Sequence, residues 1–458
     1  MAVVTRNRLR LGLAILVVVS AAVIASAAGS GPETGSADVV PDAPPTENHT
    51  VVTESGRAGT ITAYAPDGDV RYYNNSRTKY FDVDPVEGEP MTVEYAATDT
   101  IHTAGPTCGE PPCARNVIER ANLSTGDVEV LYERYDYTEN AAEWHDTARI
   151  NETHVVVADI VDDQVFVVNT ETEIIEWLWD AQSDFALESG HSFPNDWTHI
   201  NDVEYIERGE MAGRIMVSVR NQDQVVFLDR DEGVLEDWTL GSENEHDTLR
   251  EQHNPDYIPE SRGGPAILVA DSENGRIVEF QREDGEWTQS WEWEDDRIQW
   301  PRDADRLPNG NTLITDSHGK RVIEVDQSGD IVWEVESTMP YDAERLETGA
   351  ESEGGESAVA LGLDSRTGSD GGDGDENGGS GGIELDVYTF LGETIESILP
   401  HRIYNALIFV APVWVGEREA AAIGIGVLAA LTWIGLETVW RIRDAGVTVQ
   451  SPIIRDRK

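Results

Sequence analysis

Glu251-Gln252-His253-Asn254-Pro255-Asp256 opens a strand-rich unit, and openings of the same kind recur along the chain. They read His145-Asp146-Thr147-Ala148-Arg149-Ile150, His199-Ile200-Asn201-Asp202, Arg302-Asp303-Ala304-Asp305-Arg306-Leu307 and Tyr341-Asp342-Ala343-Glu344-Arg345-Leu346. Steps of 54, 54, 49 and 39 residues separate His145, His199, His253, Arg302 and Tyr341 in turn. A repeat of this length made of short alternating strands is the signature of a β-propeller.

Each opening leads into apolar runs with turn residues between them. Val155-Val156-Val157-Ala158-Asp159, Ile215 to Arg220, Ile267-Leu268-Val269-Ala270-Asp271 and Thr312-Leu313-Ile314-Thr315-Asp316 read as second strands. Period-two alternation and β-branched composition support them. Trp179, Trp238, Trp293 and Trp333 close four units on outer strands, where packing between blades is their expected role. Tyr80 to Glu87, Met91 to Thr98, Val117 to Asn122 and Val128 to Tyr132 make an earlier full unit, and Gly59 to Asn74 half of one. Tyr341 to Leu346 and Ala358 to Ser365 read as the missing inner pair of that half unit. Joining the two ends in one blade hides the open sheet edges, and the expected fold is all-β, a six-bladed propeller over residues 59–365.

The chain carries 87 Asp plus Glu against 33 Lys plus Arg, a formal charge of -54, with Lys79, Lys320 and Lys458 as its lysines. A field of that sign repels phosphate, so nucleic acid is not an expected partner. Carboxylates run through the strand repeats themselves, which points to an extreme-halophile surface, screened in molar salt where the Debye length is ~3 Å.

Arg6, Arg8 and Arg10 precede an apolar run from Leu11 to Ala28, so residues 1–29 are a signal peptide or membrane anchor. Residues 30–58 read as a tether, the Gly/Asp-rich 366–382 as a linker and 383–419 as juxtamembrane or interfacial segments, including Ile403 to Val415. Residues 420–440 are long enough for a transmembrane helix. The basic residues of 441–458 then place the C-terminus in the cytoplasm and the propeller outside the cell membrane. Glu437 lies near that boundary, within reach of water. Cys108 and Cys113 share a Gly/Pro-rich loop and are expected to form a local disulfide outside the cell; two thiols make a poor metal site. Asn48, Asn74, Asn122 and Asn151 begin glycosylation sequons.

In a propeller the first strand of each blade lines the central channel. Two sets of residues are expected to converge at one mouth. One is the strand openings, His145, His199, His253, Arg302 and Tyr341. The other is the loop after each second strand, with Asp159, Asp271, Asp316 and Asp364 at the repeat position and Arg220 in place of the aspartate. Imidazoles beside two arginines in so acidic a chain suit an anionic substrate. His318 and Lys320 are secondary contacts at the same face, whereas His102, His154, His191 and His246 lie off the register. No GxxxxGK[ST] loop occurs, and no metal or other cofactor is expected.

Thr198-His199-Ile200-Asn201-Asp202, Ser218-Val219-Arg220-Asn221, Glu251-Gln252-His253 and His145-Asp146 resemble the active-site segments of the arylsulfate sulfotransferases, in a membrane-anchored haloarchaeal form. The resemblance covers roughly Gly59 to Ser365. It implies a six-bladed exported propeller that moves a sulfuryl group from a small aryl sulfate donor to a phenolic acceptor without a nucleotide. It also implies that His253 is the nucleophile, that His199, Asn201 and Arg220 hold sulfate oxygens and that His145 completes the pocket. His145 is also the expected base toward the acceptor. The chain departs from the bacterial pattern in its cysteine position, its smaller N-terminal region and its C-terminal span. A different reading of the same channel is a non-catalytic, membrane-tethered propeller that binds an anionic ligand or a surface protein.

Overall fold

The computed structural model describes residues 2–29, 40–56, 58–137, 142–295, 297–367 and 417–445. Most of the expected linker, the segment Ile403 to Val415 and the basic C-terminal end lie outside the described residues. Six antiparallel sheets form the body of the protein, and five of them have four strands. Their innermost strands are Lys79–Pro85, Trp144–Arg149, Ile200–Tyr205, His253–Ile258, Pro301–Arg306 and Pro340–Arg345.

What holds the ring is visible in the strands' composition. His154–Asp159 and Ala266–Asp271 are buried along nearly their whole length, because both faces of an inner strand meet a neighbouring blade. Six apolar clusters lie one at each interface between successive blades, and a seventh joins Phe81, Ala96 and Tyr341. At ~1.5–3 kcal/mol for each fully buried large aliphatic side chain, every interface contributes strongly. Trp179, Trp293 and Trp333 sit in these interfaces, all at least nine-tenths buried.

The ring closes differently from expectation. Pro340–Arg345 pairs with Thr50–Glu54, which continues into Ile61–Tyr64 and Val70–Asn74. The second strand of the closing blade therefore comes from the stretch read as a tether. Thr50-Val51-Val52-Thr53 is β-branched throughout, and its two valines point into different interfaces. Ala358 to Ser365, expected as that strand, instead contains a single helical turn, Ala358–Leu361. Ser357 caps it by accepting from the Ala360 N–H, and Gly362 ends it at φ +68°. Asp364 consequently does not occupy the repeat position of the other aspartates.

Trp238 also departs from expectation. It lies in a 3-10 turn, Glu236–Trp238, between the short edge strands Gly233–Val234 and Leu240–Gly241. There it packs edge-on against Phe227 and Trp287. Cys108 and Cys113 are disulfide-bonded, with Cα atoms 5.8 Å apart.

Two helices, Ala2–Gly29 and Glu417–Asp444, belong to a second compact unit. Each holds an apolar stretch long enough to cross a membrane, Arg6–Ser26 and Ala422–Asp444. They pack antiparallel: Arg6 pairs with Asp444 at 2.9 Å, and Arg10 donates to Glu437, with Nη2 to Oε2 at 2.9 Å. Glu437 therefore has a cationic partner on the other helix.

Candidate active site

Every inner strand opens with a β-bulge, and the bulges build the channel wall. An extra residue in one strand breaks the alternation and re-aims its side chain. The residue left out of the ladder is His145 between Trp144 and Asp146, Asn201 between Ile200 and Asp202, Arg302 between Pro301 and Asp303, and Tyr341 between Pro340 and Asp342. Three aspartates of the inner strands, Asp342, Asp82 and Asp146, serve the next blade. Val83 N–H donates to Asp342 at 2.6 Å, Thr147 N–H to Asp82 at 3.4 Å and Val203 N–H to Asp146 at 2.5 Å.

The three histidines converge, but from three backbone settings and not from one register. His145 sits in a bulge. His199 precedes its strand, at φ +49°. His253 begins its strand, opposite Ala270. Glu251, Asn254 and Trp300 also have positive φ. For residues other than glycine this conformation costs of order 1–3 kcal/mol each, and such strain concentrates where geometry serves function.

An unbroken path of ring contacts joins the expected residues. His318 lies 4.2 Å from Trp300 between centroids, Trp300 5.7 Å from His253, His253 6.4 Å from Tyr341, Tyr341 5.4 Å from His145, and His145 5.1 Å from His199. The Arg302 guanidinium lies over Trp300 and Tyr341 at 4.4 and 5.0 Å. Phe81 packs on His145 and Tyr341 from the sixth inner strand. The Asn201 side-chain amide donates to the Gln252 carbonyl at 2.9 Å, and the Asn201 backbone carbonyl accepts from the Tyr341 hydroxyl at 3.2 Å.

Arg220 is displaced by one position from expectation. Arg220–Gln222 and Ser272–Asn274 are equivalent 3-10 turns, so Arg220 stands where the other blade has Ser272, and Val219 replaces the aspartate. Arg220 donates to Glu251 at 2.6 Å and to Asn221 at 2.9 Å. Arg302 donates to the Ser55 hydroxyl at 2.6 Å, and among the described residues no carboxylate pairs with it. Its Nε has no hydrogen-bond partner. Burial pulls this guanidinium down to about 10, which still leaves it charged at neutral pH.

The tautomer of His253 follows from its neighbour. Ser272 Oγ lies 2.8 Å from His253 Nδ1 and donates to the Pro301 carbonyl at 2.6 Å. A hydroxyl has one proton to give, so Nδ1–H must be the donor in the first contact, and Nε2 keeps its lone pair. Burial, reinforced by Arg220 and Arg302, holds this imidazole well below its ordinary range. His145 is likewise pushed down by burial, with His199 and Arg302 adding to it. His199 pairs through Nδ1 with Asp196, which leaves its Nε2 free of that bond. Burial raises the Asp196 carboxyl, but His199 and then Arg220 outweigh it and hold Asp196 at about 2.

Asp196, Ser272, Trp300 and Phe81 escaped the sequence reading, and His191, read as off the register, has its Nε2 3.9 Å from Glu251. Ser272 had left a signal: the Asp-Ser pairs at 271–272 and 316–317 align Arg220 with serine. A cavity of about 1080 Å³ opens elsewhere, where the inner strands end, and is lined by Asp84, Glu204 and Glu351 among others. It does not include the histidines.

These features define a six-bladed propeller with three histidines and two arginines gathered where its inner strands begin. The model of the family described as Arylsulfotransferase (ASST) matches residues 132–338, less than half of the chain. That stretch contains His145, His199, Arg220, His253, Arg302 and His318, and ends just before Tyr341. No curated protein matches the chain. Among solved structures, a protein of unknown function from Bacteroides caccae is similar at 11% identity and TM-score 0.44, over 65% of this chain and 98% of that one. The periplasmic gluconolactonase PpgL of Pseudomonas aeruginosa is similar at 11% identity and TM-score 0.41, over 66% and 99%.

Proposed function

We propose that the protein is an arylsulfate sulfotransferase that works through a histidine nucleophile, with the propeller outside a cell membrane, the C-terminus in the cytoplasm and the acidic surface adapted to high salt. The observation that carries this reading is Arg302, a buried guanidinium without a carboxylate partner among the described residues, beside an imidazole whose Nε2 lone pair is available. A buried unpaired cation is costly, and a sulfate ester supplies the missing anion. Aryl rings lining the pocket, Trp300, Tyr341 and Phe81, suit the aromatic part of the donor.

In the first half-reaction His253 Nε2 attacks sulfur, the N–S bond forms, the S–O bond to the aryl group breaks and phenolate leaves. Arg220 and Arg302 stabilise the oxygens that gain charge as this happens. In the second, His199 removes the proton of an incoming phenol. Its Nδ1–H faces the Asp196 carboxylate, which stabilises the imidazolium so formed. We assign the base to His199 in preference to His145, because His145 Nδ1 is buried without a hydrogen-bond partner and, among the described residues, no carboxylate orients its ring. The phenolate oxygen then bonds to sulfur as the N–S bond breaks, and His253 is restored.

The test is incubation of the chain in molar salt with a chromogenic aryl sulfate. Donor alone should give a burst of phenolate equal to the enzyme present and a sulfuryl group on His253 by peptide mass spectrometry; a phenol should discharge it with ping-pong kinetics. Saturable aryl sulfate binding with neither burst nor label would leave a binding propeller instead.

A further inference from the structure

The channel changes character below the histidines, where carboxylates from the inner strands and from the segment after Leu346 collect. We propose that Asp256, Asp303, Asp305 and Glu351 bind one divalent cation of the calcium class. Their ligand oxygens all lie within 4.8 Å of one another. Two oxygens on opposite sides of a calcium ion, each at ~2.4 Å, are ~4.8 Å apart, so the set has the dimensions of one coordination sphere. All the donors are oxygen, and four carboxylates offer up to eight atoms for an ion that takes ~6–8.

Asp305 independently points to a ligand. It is 1% exposed, and neither of its side-chain oxygens has a hydrogen-bond partner. Asp256 and Asp303 each leave Oδ1 unpartnered as well. Buried carboxylates of native proteins are hydrogen-bonded, paired with cations or coordinated to metals. Among the described residues no Lys or Arg forms an ion pair with any of the four; Arg306 and Arg345 are committed to Glu279 and Glu324, and Arg302, which precedes Asp303, donates to Ser55. Of the equivalent aspartates elsewhere in the ring, Asp82, Asp146 and Asp342 accept a backbone N–H from the next blade, while Asp202 Oδ2 is buried without a partner. Asp303 accepts none and faces Thr315 Oγ1 at 3.4 Å.

The fourth ligand is held by its own loop. Glu351 N–H donates to Glu344 at 2.7 Å, and Ser352 bonds to Asp256 and accepts from Arg306 N–H. Gly355 lets that loop lie on the strand end, since a Cβ there would fall 2.0 Å from the Arg306 carbonyl oxygen. An ion on these ligands ties two adjacent blades to the loop beneath the channel. The cavity lined by Asp84 and Glu351 gives it a way in.

Calcium titrated into the EDTA-treated full chain in molar NaCl should show one saturable site with Kd below ~10⁻³ M, and should raise the melting temperature reversibly to EDTA. Asp305→Asn and Glu351→Gln should each weaken that site at least tenfold. Glu283→Gln, an exposed acid on an outer strand, should leave it unchanged and so separates the site from surface counter-ions. Magnesium, which demands a tighter octahedron, should bind at least tenfold more weakly. The proposal is overturned by the absence of a saturable site in the wild-type chain, by affinity unchanged in both variants, or by equal affinity for the two ions. Should either variant fail to fold, a wild-type melting temperature indifferent to calcium and EDTA overturns it equally.

Discussion

Replacing Ser272 by alanine tests the link between fold and chemistry at one atom. Its hydroxyl accepts from His253 Nδ1–H at 2.8 Å and donates to the Pro301 carbonyl at 2.6 Å, and the serine, His253 and Pro301 are all buried. Alanine leaves a buried donor and a buried acceptor unsatisfied. At ~1–3 kcal/mol for each of the two groups, the fold should lose about 2–6 kcal/mol. The imidazole also becomes free to carry its proton on Nε2, where it blocks attack. A loss of ~1.4–2.8 kcal/mol of orientation corresponds to a ~10–10²-fold fall in transfer. Ser317→Ala is the matched control, because Ser317 donates to the Pro340 carbonyl in the same way but is not bonded to His253. It should cost stability without a comparable loss of rate. The measurements are thermal unfolding in molar salt, kcat/KM for a chromogenic aryl sulfate, and imidazole nitrogen chemical shifts to read the tautomer. Transfer by Ser272→Ala within twofold of Ser317→Ala, or an Nδ1 proton retained in Ser272→Ala, would refute the reasoning.

Because burial, Arg220 and Arg302 depress His253, the acid limb of kcat/KM should fall below the ordinary imidazole value of ~6.5. The charged and titratable groups influencing it are Arg220, Arg302, His199 and His145; Arg220→Ala removes one positive neighbour and should move the limb upward, and a wild-type limb at or above ~6.5 would contradict this. Lowering salt from molar to ~0.1 M lengthens the Debye length to ~10 Å, so the acidic propeller should lose its β-type circular dichroism; an unchanged spectrum and melting temperature would reject a halophilic surface. Val51→Ala, at a position with no exposed surface in the closing blade, should cost about 2–3 kcal/mol by the burial lost and the cavity left, read as a lower melting temperature.

The repeat was legible because each inner strand carries the same chemical grammar, a channel-facing residue followed by an aspartate. His145-Asp146, Arg302-Asp303 and Tyr341-Asp342 show it directly. Closure was harder to read, because Thr50–Glu54 and its partner lie at opposite ends of the chain, and Ala358 to Ser365 imitates strand alternation while Ser357 and Gly362 favour a turn of helix. The candidate site residues were chosen by type. Their settings were not legible, since a bulge, a strand start and a left-handed residue look alike in sequence and present side chains differently. Asp196 and Ser272, which fix the two tautomers, act through hydrogen bonds that no spacing announces.

Closing a ring with its own first strand sets an order of events during synthesis. Thr50 and Arg345, neighbours across the closing pair, are 295 residues apart in the chain. At ~5–20 residues per second, about 15–60 s pass between the appearance of the first and of the second. Throughout that interval Thr50–Glu54 presents an unpaired edge whose valines have only part of their final surroundings. The nascent protein is therefore most exposed to wrong pairing and to proteases before Pro340–Arg345 arrives, and a single late segment converts an open array of blades into a ring without ends.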